Sequence, residues 1–472
     1  MLEKAPQPVS ELKPERAIKL VPELLPEFVW QQIRNLLPDS NPHNKLSLCV
    51  GFSGGLDSTV LLHLLTQALK AQQSSESPTF NLKAIHINHQ LQKEAGLWVE
   101  FCRNFCSNQE IPFQSINVSV SGSNQSGVEA AARNARYIAF KDNLSSEDIL
   151  LTAHHRDDQI ETVFLQLLRG TGIEGAAAIN PCSKLNQNYL LRPLLNFDRK
   201  QLEAYATIHK LQWVEDPSNA ATDYGRNYLR HNVLPVIEKR WPSYRKTIQR
   251  FSNNARSAAI LLNDYVVQDF ELSSNPDRNS LKIDLLLQLS LEKRLLVIRF
   301  WIKQLGSLMP SESILLEIHR VLTADEDTNP VVEWGSSKLR RYRNEIFLLP
   351  RQVKEVKKSD FFWDLKSHLN INGLGELSGQ KSLGYGLNEK YAAKKIKVTF
   401  RQGGEKCQPA GRQGTHSLKK LLQEYEVPPW QRENIPILVI DGKIAAVVGL
   451  FYCDPFAVKK EEQGILVSLE LD

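Results

Sequence analysis

The string Ser53–Ser58 reads Ser-Gly-Gly-Leu-Asp-Ser and follows an apolar run that begins at Leu46. Two consecutive glycines let the backbone turn tightly and approach a phosphate closely. The first N–H groups of a following helix have no intrahelical partners and carry partial positive charge, which favours an anion. The carboxylate of Asp57 would repel a polyphosphate unless a divalent cation such as Mg²⁺ lies between them. The string therefore predicts a phosphate-binding loop, with Asp57 as a Mg²⁺ ligand.

This loop differs from the Walker-type P-loop, because it has no lysine at the position that the Walker pattern requires. A kinase or GTPase is therefore disfavoured. The loop instead resembles the pyrophosphate-binding loop of the N-type ATP pyrophosphatases, which split ATP into AMP and pyrophosphate to activate a carbonyl oxygen. The residues that this resemblance assigns to ATP binding are Ser53, Gly54, Gly55, Leu56, Asp57 and Ser58.

A second polar cluster lies within residues 151–172, around the expected start of a helix. Its histidines and acids include His154, His155, Asp158 and Glu161. At about 100° per residue, the helix has one apolar stripe, formed by Ile160, Val163, Phe164, Leu167 and Leu168. Two histidines and three acids around one turn are hard to explain by folding alone. The alternative is a solvated polar face whose acidic start suits the helix dipole.

Between these motifs, residues 128–137 form an alanine-rich segment that permits close packing of a helix on a sheet. Arg133 and Arg136 lie in this segment and could reach a phosphate. The alternative for Arg133 is an ion pair with Glu129 four residues earlier on the same helix.

Strands and helices alternate from residue 45 onward. The apolar patterns predict four strands, at 45–51, 82–88, 113–120 and 148–153. They also predict four helices, at 58–71, 93–108, 126–143 and 155–169. This alternation predicts an α/β fold with a doubly wound parallel sheet. In such folds ligands bind beyond the carboxyl ends of the strands, where both polar motifs fall.

The composition is that of a globular protein, with 472 residues, 42% apolar and 24% charged. No apolar run approaches the length of a membrane span, and the N-terminus has no signal-peptide core, so we expect a cytoplasmic protein without a membrane partner. The net charge of +5 permits a nucleic-acid partner. The six cysteines include no Cys-x-x-Cys, so we expect reduced thiols and no zinc or iron–sulfur site.

Composition shifts divide the chain into four segments. We expect a catalytic domain at 1–242 with a lead-in helix over 15–37, a helical domain at 243–352 closed by a hairpin over 331–350, a linker at 353–393 and a small α/β C-terminal domain at 394–472. Residues 394–420 contain one acid, Glu405, and eight basic side chains, namely Lys394, Lys395, Lys397, Arg401, Lys406, Arg412, Lys419 and Lys420. Such a cluster predicts contact with RNA phosphates, the alternative being a solubilising surface.

The combined motifs resemble those of the tRNA(Ile)-lysidine synthases. In the first domain the matching strings are Ser53–Ser58, Glu129–Arg133, His154–Thr162, Leu168–Gly172, Arg192–Leu195, Trp213–Asn219 and Arg226–His231. In the C-terminal domain they are Phe400–Gly404, Ser417–Lys420 and Val427–Trp430. The resemblance covers residues 45–242 and 398–450, and the helical domain matches in position more than in motif.

This resemblance implies ATP-dependent attachment of L-lysine to C2 of the wobble cytidine in an isoleucine tRNA with a CAU anticodon. AMP is first transferred to the C2 oxygen with loss of pyrophosphate, and the lysine ε-amine then displaces AMP. That amine has a pKa of ~10.4 and must lose a proton to be nucleophilic. The product, lysidine, changes the amino-acid identity from methionine to isoleucine and the codon read from AUG to AUA. A homodimer is plausible for this fold.

The resemblance also implies roles for individual residues. Arg133 would stabilise developing phosphate charge, His154 would orient the nucleotide or base, and Asp158 with Glu161 would attract the lysine ammonium. With Asp57 these make up the expected catalytic set. The expected tRNA contacts are Arg226, Arg230, His231, Arg401, Lys419 and Lys420.

Three other functions fit the sequence less well. A tRNA thiolase with the same loop would commonly carry paired cysteines, and no glutaminase half supports a glutamine-dependent ligase. A tRNA-binding protein with a degenerate nucleotide site is disfavoured by the intact Asp57, Asp158 and Glu161.

Overall fold

The computed structural model describes residues 24–37, 46–72, 80–90, 92, 94–119, 125–217, 225–276, 279–324, 330–351, 359–391 and 394–471, without the side chains of 125–130 and 471. The chain forms two compact units, residues 1–263 and 264–472. The start of the expected lead-in helix and the end of the Trp213–Asn219 string lie outside the described residues.

The first unit contains a six-stranded sheet. Its strands are β1 (Leu46–Gly51), β2 (Phe80–Asn88), β3 (Phe113–Asn117), β4 (Asp148–Leu151), β5 (Cys182–Leu185) and β6 (Asn188–Leu191). The order across the sheet is β3-β2-β1-β4-β6-β5, and β5 at the edge pairs antiparallel with β6. The other pairings are parallel, which confirms the predicted doubly wound sheet.

Helices cover both faces of this sheet. They are α1 (Pro26–Leu36), α2 (Leu56–Gln72), α3 (Ala95–Asn108), α4 (Gln125–Asn143), α5 (Arg156–Leu168), α6 (Ile173–Ala176), α7 (Arg199–Ile208), α8 (Gly225–Tyr228) and α9 (Leu234–Arg240). A π-helical turn, Leu229–Val233, joins α8 to α9. The four helices predicted between residues 58 and 169 are confirmed as α2 to α5, and α2 begins two residues earlier than expected.

Strand β1 is buried on both faces. Leu48 and Val50 belong to a core shared with Leu61 of α2, and Cys49 faces a second core that includes Phe140 of α4. The mostly apolar run before the glycine loop is therefore the run of a central parallel strand. It fixes the position of the loop at the carboxyl edge of the sheet.

A long helix, α10 (Tyr244–Ser273), leads into the second unit. The helix-rich region that follows contains α11 (Ile283–Gln288), α12 (Leu291–Gln304), α13 (Glu312–Thr323) and the strands β7 (Ser280–Lys282), β8 (Val331–Trp334), β9 (Ser337–Tyr342) and β10 (Glu345–Pro350). The strands form an antiparallel sheet in the order β7-β10-β9-β8. The expected hairpin is β9–β10, which β7 and β8 extend into a four-stranded sheet.

The prediction of a linker over 353–393 is wrong for the residues that the structure describes. This stretch contains β11 (Phe361–Trp363), β12 (Leu369–Ile371), β13 (Gly375–Leu383) and β14 (Leu387–Asn388). Ile371, Leu377 and Leu387 are fully buried, whereas polar residues occupy the opposite face of the strands. Short strands with one buried face are mostly polar in sequence, which explains the wrong prediction.

The remaining elements complete two sheets around a shared core and add a two-stranded sheet, β16-β17, and a helix. They are β15 (Ile396–Thr399), β16 (Lys406–Cys407), β17 (His416–Ser417), α14 (Leu418–Glu424), β18 (Ile437–Ile440), β19 (Lys443–Val447), β20 (Phe451–Tyr452) and β21 (Gln463–Leu471). The sheet orders are β11-β15-β18-β19-β20 and β12-β13-β21-β14. Across the described ranges, no helix is both long and apolar enough to span a bilayer.

Candidate active site

The glycine loop is held by hydrogen bonds between its own residues. The Ser58 hydroxyl donates to the Gly55 carbonyl at 3.0 Å and lies 3.0 Å from the Ser53 hydroxyl oxygen. The Thr59 hydroxyl donates to the same carbonyl at 2.9 Å. These bonds fix the loop at the start of α2, where the first N–H groups of the helix have no intrahelical acceptor. The loop therefore has the form of an anion-binding turn.

Gly54 can be replaced by no larger residue without strain. Its φ is +82°, in the left-handed region that favours glycine, and an added Cβ would lie 2.9 Å from Cys102 Sγ. Its carbonyl accepts a hydrogen bond from the Val214 N–H at 2.9 Å. Cys102 is fully buried, and burial raises the pKa of its thiol, as expected for a packing residue rather than a ligand.

The second motif meets the loop at the point where the strand order reverses. From β1 the chain continues to β2 and β3 on one side, whereas β4 lies on the other side of β1. The crevice between β1 and β4 is where doubly wound sheets bind ligands. Helix α5 begins just after β4, and the side chain of His155 before it reaches Asp57 of the loop. The structure thus brings the two predicted motifs into one site.

His155 lies among three carboxylates. It is 2% exposed, and its Nε2 is 3.5 Å from Asp57 Oδ2 and 3.6 Å from Asp158 Oδ2. Its Nδ1 is 3.7 Å from Asp157 Oδ2. Burial disfavours the charged imidazolium, but the three carboxylates outweigh burial and raise the pKa of His155 to about 9. His155 is therefore a buried cation that holds the loop and α5 together.

Asp158 is ionised in this setting. Its carboxylate accepts a hydrogen bond from the His155 backbone N–H at 3.0 Å, which caps the first turn of α5. Burial opposes its charge, yet the positive charges of His155 and Arg226 keep the pKa of Asp158 below its usual range. Asp157 is held by Arg245 Nε at 2.7 Å and by the Arg199 N–H at 2.9 Å.

Glu161 is fully buried and paired with two arginines. Arg230 donates to both of its carboxylate oxygens, from Nε at 2.7 Å and from Nη2 at 3.0 Å, and Arg226 Nε lies 3.4 Å away. Burial is the main influence on Glu161 and raises its pKa in spite of the arginines. Arg226 and Arg230 were predicted as tRNA contacts. Both side chains form ion pairs with Glu161 and remain 25% and 26% exposed. His231, on the adjoining π-helical turn, is exposed.

The apolar stripe predicted for α5 is only half correct. Ile160 and Val163 are buried, but Leu167 and Leu168 are 48% and 75% exposed. The buried positions are taken instead by Gln159 and Glu161. Gln159 is accepted in the interior because it donates to the Ala177 carbonyl and to the Ser252 hydroxyl, and accepts from the Ile179 N–H.

A group of positive side chains lies on the other side of His154. Arg133 is exposed, with its Cζ 5.3 Å from the centre of the Tyr137 ring. His154 Nδ1 is 2.9 Å from the Thr152 hydroxyl. Burial lowers the pKa of His154 to about 3, and the nearby arginines 192, 136 and 133 add to the effect against the opposing charge of Asp158. The imidazole is thus neutral and able to serve as a hydrogen-bonding group.

The basic cluster of the C-terminal region is partly neutralised within the fold. Lys394 pairs with Asp441, Lys397 with Asp360, and Arg412 with Glu424. Sequence counting missed these acids because all three lie outside residues 394–420. Lys419 and Lys420 are exposed on α14, and no described carboxylate lies within salt-bridge distance of either. Arg401 is half-buried, and its Nε atom is buried without a hydrogen-bond partner among the described residues.

A cavity of about 440 Å³ opens beside the acidic side of the site. It is lined by His155, Glu161 and Arg230 from the site, and by Tyr244 and Arg245 from the start of α10. It offers both carboxylates and guanidinium groups. Its lining is therefore suited to a small zwitterionic ligand.

Sequence reasoning gave no role to His155, Asp157 or Arg245. Asp157 adjoins Asp158 in the motif and could have been noticed there. Arg245 gave no signal, because it lies 88 residues from the acid that it binds and belongs to no motif.

Family models match three separate parts of the chain. A family model described as a PP-loop domain matches residues 27–237. Models described as the TilS substrate binding domain and the TilS substrate C-terminal domain match residues 281–347 and 396–470.

Curated relatives match over most of their length. The tRNA(Ile)-lysidine synthase of Coxiella burnetii is 39% identical over 447 residues, which are 94% of this chain and 96% of the relative. That of Serratia proteamaculans is 39% identical over 407 residues, 86% and 91% of the two chains. Among solved structures, a U34-tRNA thiolase from Methanococcus maripaludis is 18% identical over 48% of this chain and 78% of its own, with a TM-score of 0.39.

The parallel sheet, with a glycine loop and an acidic helix at its switch point, defines an enzyme of the PP-loop ATP pyrophosphatase class. Within that class the similarity points to one family, because the curated relatives match this chain through the C-terminal domain as well as the PP-loop domain. The chain belongs to the tRNA(Ile)-lysidine synthase family.

Proposed function

We propose that this protein ligates L-lysine to C2 of the wobble cytidine of isoleucine tRNA with a CAU anticodon, and converts ATP to AMP and pyrophosphate. The observation that carries the proposal is the position of His155 at the start of α5, where its Nε2 contacts both Asp57 of the phosphate loop and Asp158 of the helix. This contact joins a phosphate-binding element to an acidic one, as a reaction between a nucleotide and an amine requires.

In the first step the C2 oxygen of cytidine attacks the α-phosphorus of ATP, and the bond to the departing pyrophosphate breaks. Residues 53–58 bind the pyrophosphate through the loop and the first turn of α2. Arg133 stabilises the charge that develops on the phosphate. His154, neutral and anchored by Thr152, orients the base. The product is an adenylated cytidine whose C2 carries a good leaving group.

Mg²⁺ fits this arrangement through Asp57. The Oδ1 atom of Asp57 is buried and has no hydrogen-bond partner among the described residues, so one carboxylate oxygen is available to a cation. Mg²⁺ is commonly held by one or two carboxylates together with substrate phosphates. When bound, it supplies charge neutralisation between Asp57 and the polyphosphate.

In the second step the lysine ε-amine attacks C2 and AMP leaves. The cavity beside Glu161 and Arg245 receives the amino acid. Its ammonium is attracted by Glu161, which lines the cavity, and by Asp158, which contacts the lining residue His155. One of these carboxylates accepts the proton that the amine must lose. Because Glu161 is bound by Arg230, its part in lysine binding requires this ion pair to loosen or to share the carboxylate.

The remaining domains bind the tRNA. We assign catalysis to residues 1–242 and RNA binding to the helical domain, 243–352, and to the C-terminal region. The contacts proposed there are Arg401, Lys419 and Lys420, and those nearer the site are Arg226, Arg230 and His231. The modified tRNA carries isoleucine in place of methionine and reads AUA in place of AUG. We place the reaction in the cytoplasm and allow for a homodimer.

The test is incorporation of labelled lysine into a transcript of the CAU isoleucine tRNA with ATP and Mg²⁺. The matched control is the same transcript with uridine at the wobble position. ATP-dependent labelling of the first transcript alone is expected. Absence of labelling by folded, ATP-binding protein would refute the proposal.

A further inference from the structure

Three arginines converge on Tyr137 near the carboxyl ends of β4 and β6. The Cζ atoms of Arg133 and Arg136 lie 5.3 Å and 5.6 Å from the centre of the Tyr137 ring. Arg192 directly follows β6, and its guanidinium lies beside the Tyr137 hydroxyl. The cluster therefore draws on two separate elements, α4 and the end of β6.

The polar atoms of this cluster are incompletely satisfied. Arg192 is 7% exposed, and its Nη1 donates to the Asn180 carbonyl at 2.5 Å and to the Ser183 hydroxyl at 3.0 Å. Its Nε atom and the Tyr137 hydroxyl are both buried and lie beside each other, and neither has a further hydrogen-bond partner within the described residues. Even if the hydroxyl accepts from Arg192, its own O–H has no acceptor there, and buried polar groups are nearly always partnered, so an acceptor is missing.

The cluster also lacks a counter-charge. No described carboxylate forms a salt bridge with Arg133, Arg136 or Arg192, although the side chain of Glu129 is outside the described part. Asp158 acts on Arg136 only at longer range, and it is already bound to His155. Burial lowers the pKa of the Arg136 guanidinium, whereas the three arginines outweigh burial and lower the pKa of the Tyr137 phenol. The shift of Tyr137 is the result of excess positive charge, and the same charge adds to the effect of burial on Arg136.

We propose that Arg136, Arg192 and Tyr137 bind a phosphate group in the active site. A phosphate supplies the negative charge and the acceptor oxygens that the cluster lacks, and arginine is well suited to bind it. The inference rests on the proposed function, which brings two phosphate sources to this edge of the sheet. These are the polyphosphate of ATP and the phosphodiester beside the wobble nucleotide.

The experiment compares full-length variants in two binding assays. The first measures ATP affinity without RNA, and the second measures affinity for a CAU anticodon stem–loop without ATP, at several salt concentrations. The variants are Arg136→Met, Arg136→Lys and Tyr137→Phe. The matched control is Arg103→Met. Arg103 lies outside the cluster but carries the same charge as Arg136 and also stacks on an aromatic ring, with its Cζ atom 5.6 Å from the centre of the Phe113 ring.

The proposal predicts that Arg136→Met weakens one of the two affinities by at least about tenfold, that Arg136→Lys weakens it less, and that Tyr137→Phe weakens it about threefold. Arg103→Met stays within about twofold of the wild type. Loss in the ATP assay identifies the polyphosphate as the occupant. Loss in the stem–loop assay, with a smaller salt dependence, identifies the phosphodiester.

Wild-type affinities in both assays for all cluster variants would overturn the proposal and leave the arginines as packing partners of Tyr137. A change of equal size in Arg103→Met would overturn it too, since the effect would then be one of net charge. Failure of the proposed function is separable. It would show as absent lysine incorporation by wild-type protein, whatever these affinities are.

Discussion

At the scale of single residues, the site depends on charges that compensate one another within a few ångströms. His155 is a buried cation between Asp57, Asp157 and Asp158. The sequence identified two of these acids from their motifs, but it did not predict that the histidine would be their common partner. Residue type and spacing reveal that charges are present, whereas their pairing depends on side-chain packing between elements that are distant in the chain.

The Arg230–Glu161 pair gives a prediction at this scale. Arg230→Met leaves a fully buried carboxylate with only the more distant Arg226 as partner. We expect the free energy of unfolding to fall by about 3 kcal/mol, measured by denaturant unfolding followed by tryptophan fluorescence. Glu161→Gln in the same chain should recover part of the loss, because a buried amide costs less than an unpaired charge.

The control is the exposed pair Arg199–Glu203, whose side chains are 42% and 50% exposed. Arg199→Ala should change stability by less than about 0.5 kcal/mol, since exposed helix pairs contribute little. Equal losses for the buried and the exposed pair would contradict this account of Glu161.

At the scale of elements, the pattern predicted β1 to β4 and α2 to α5, because these elements alternate with clear periods. It did not predict α8 and the π-helical turn, which carry Arg226 and Arg230 to the site. It failed on the orientation of α5. The spacing of apolar residues predicted that Leu167 and Leu168 would be buried, but both are exposed. The buried positions hold Gln159 and Glu161, each with its hydrogen-bond partners. A buried polar side chain is stable only through distant partners, and no local pattern contains them.

The turn from β1 to α2 gives the second prediction. Gly54→Ala forces an alanine into a left-handed conformation, with its Cβ 2.9 Å from Cys102 Sγ. Displacement of the loop should weaken ATP binding more than tenfold, measured by titration calorimetry. Gly96→Ala is the control, because an added Cβ at Gly96 meets nothing within 4 Å. ATP affinity equal to that of the control would show that the loop does not need its glycine.

At the scale of the whole molecule, the sequence analysis identified the catalytic domain and the basic C-terminal domain, but it wrongly predicted a linker over residues 353–393. The supposed linker contributes β13, which pairs with β21 near the C-terminus over nine residues. Pairing across so long a stretch of chain gives no local signal. A truncation after residue 390 would therefore break a sheet as well as remove the basic cluster, so point variants are the sharper test of RNA binding.

The third prediction concerns these basic residues. In the full chain, Lys419→Ala with Lys420→Ala should lower the slope of log affinity for tRNA against log salt by about 1 to 2, because each phosphate contact contributes a little under one unit. Lys394→Ala with Lys397→Ala removes the same charge from residues already paired with Asp441 and Asp360. This second pair should change the slope less. Equal slopes for the two double variants would argue against an RNA contact at α14.

The measurement that tests the central claim most directly follows ATP labelled on its α-phosphate. In the absence of lysine, we predict that the label becomes attached to the CAU isoleucine tRNA and not to the transcript with uridine at the wobble position. Addition of lysine should then release the label as AMP, with one lysine incorporated for each AMP released. Incorporation of lysine without any labelled tRNA, or a label that lysine cannot displace, would contradict the two-step reaction at this site.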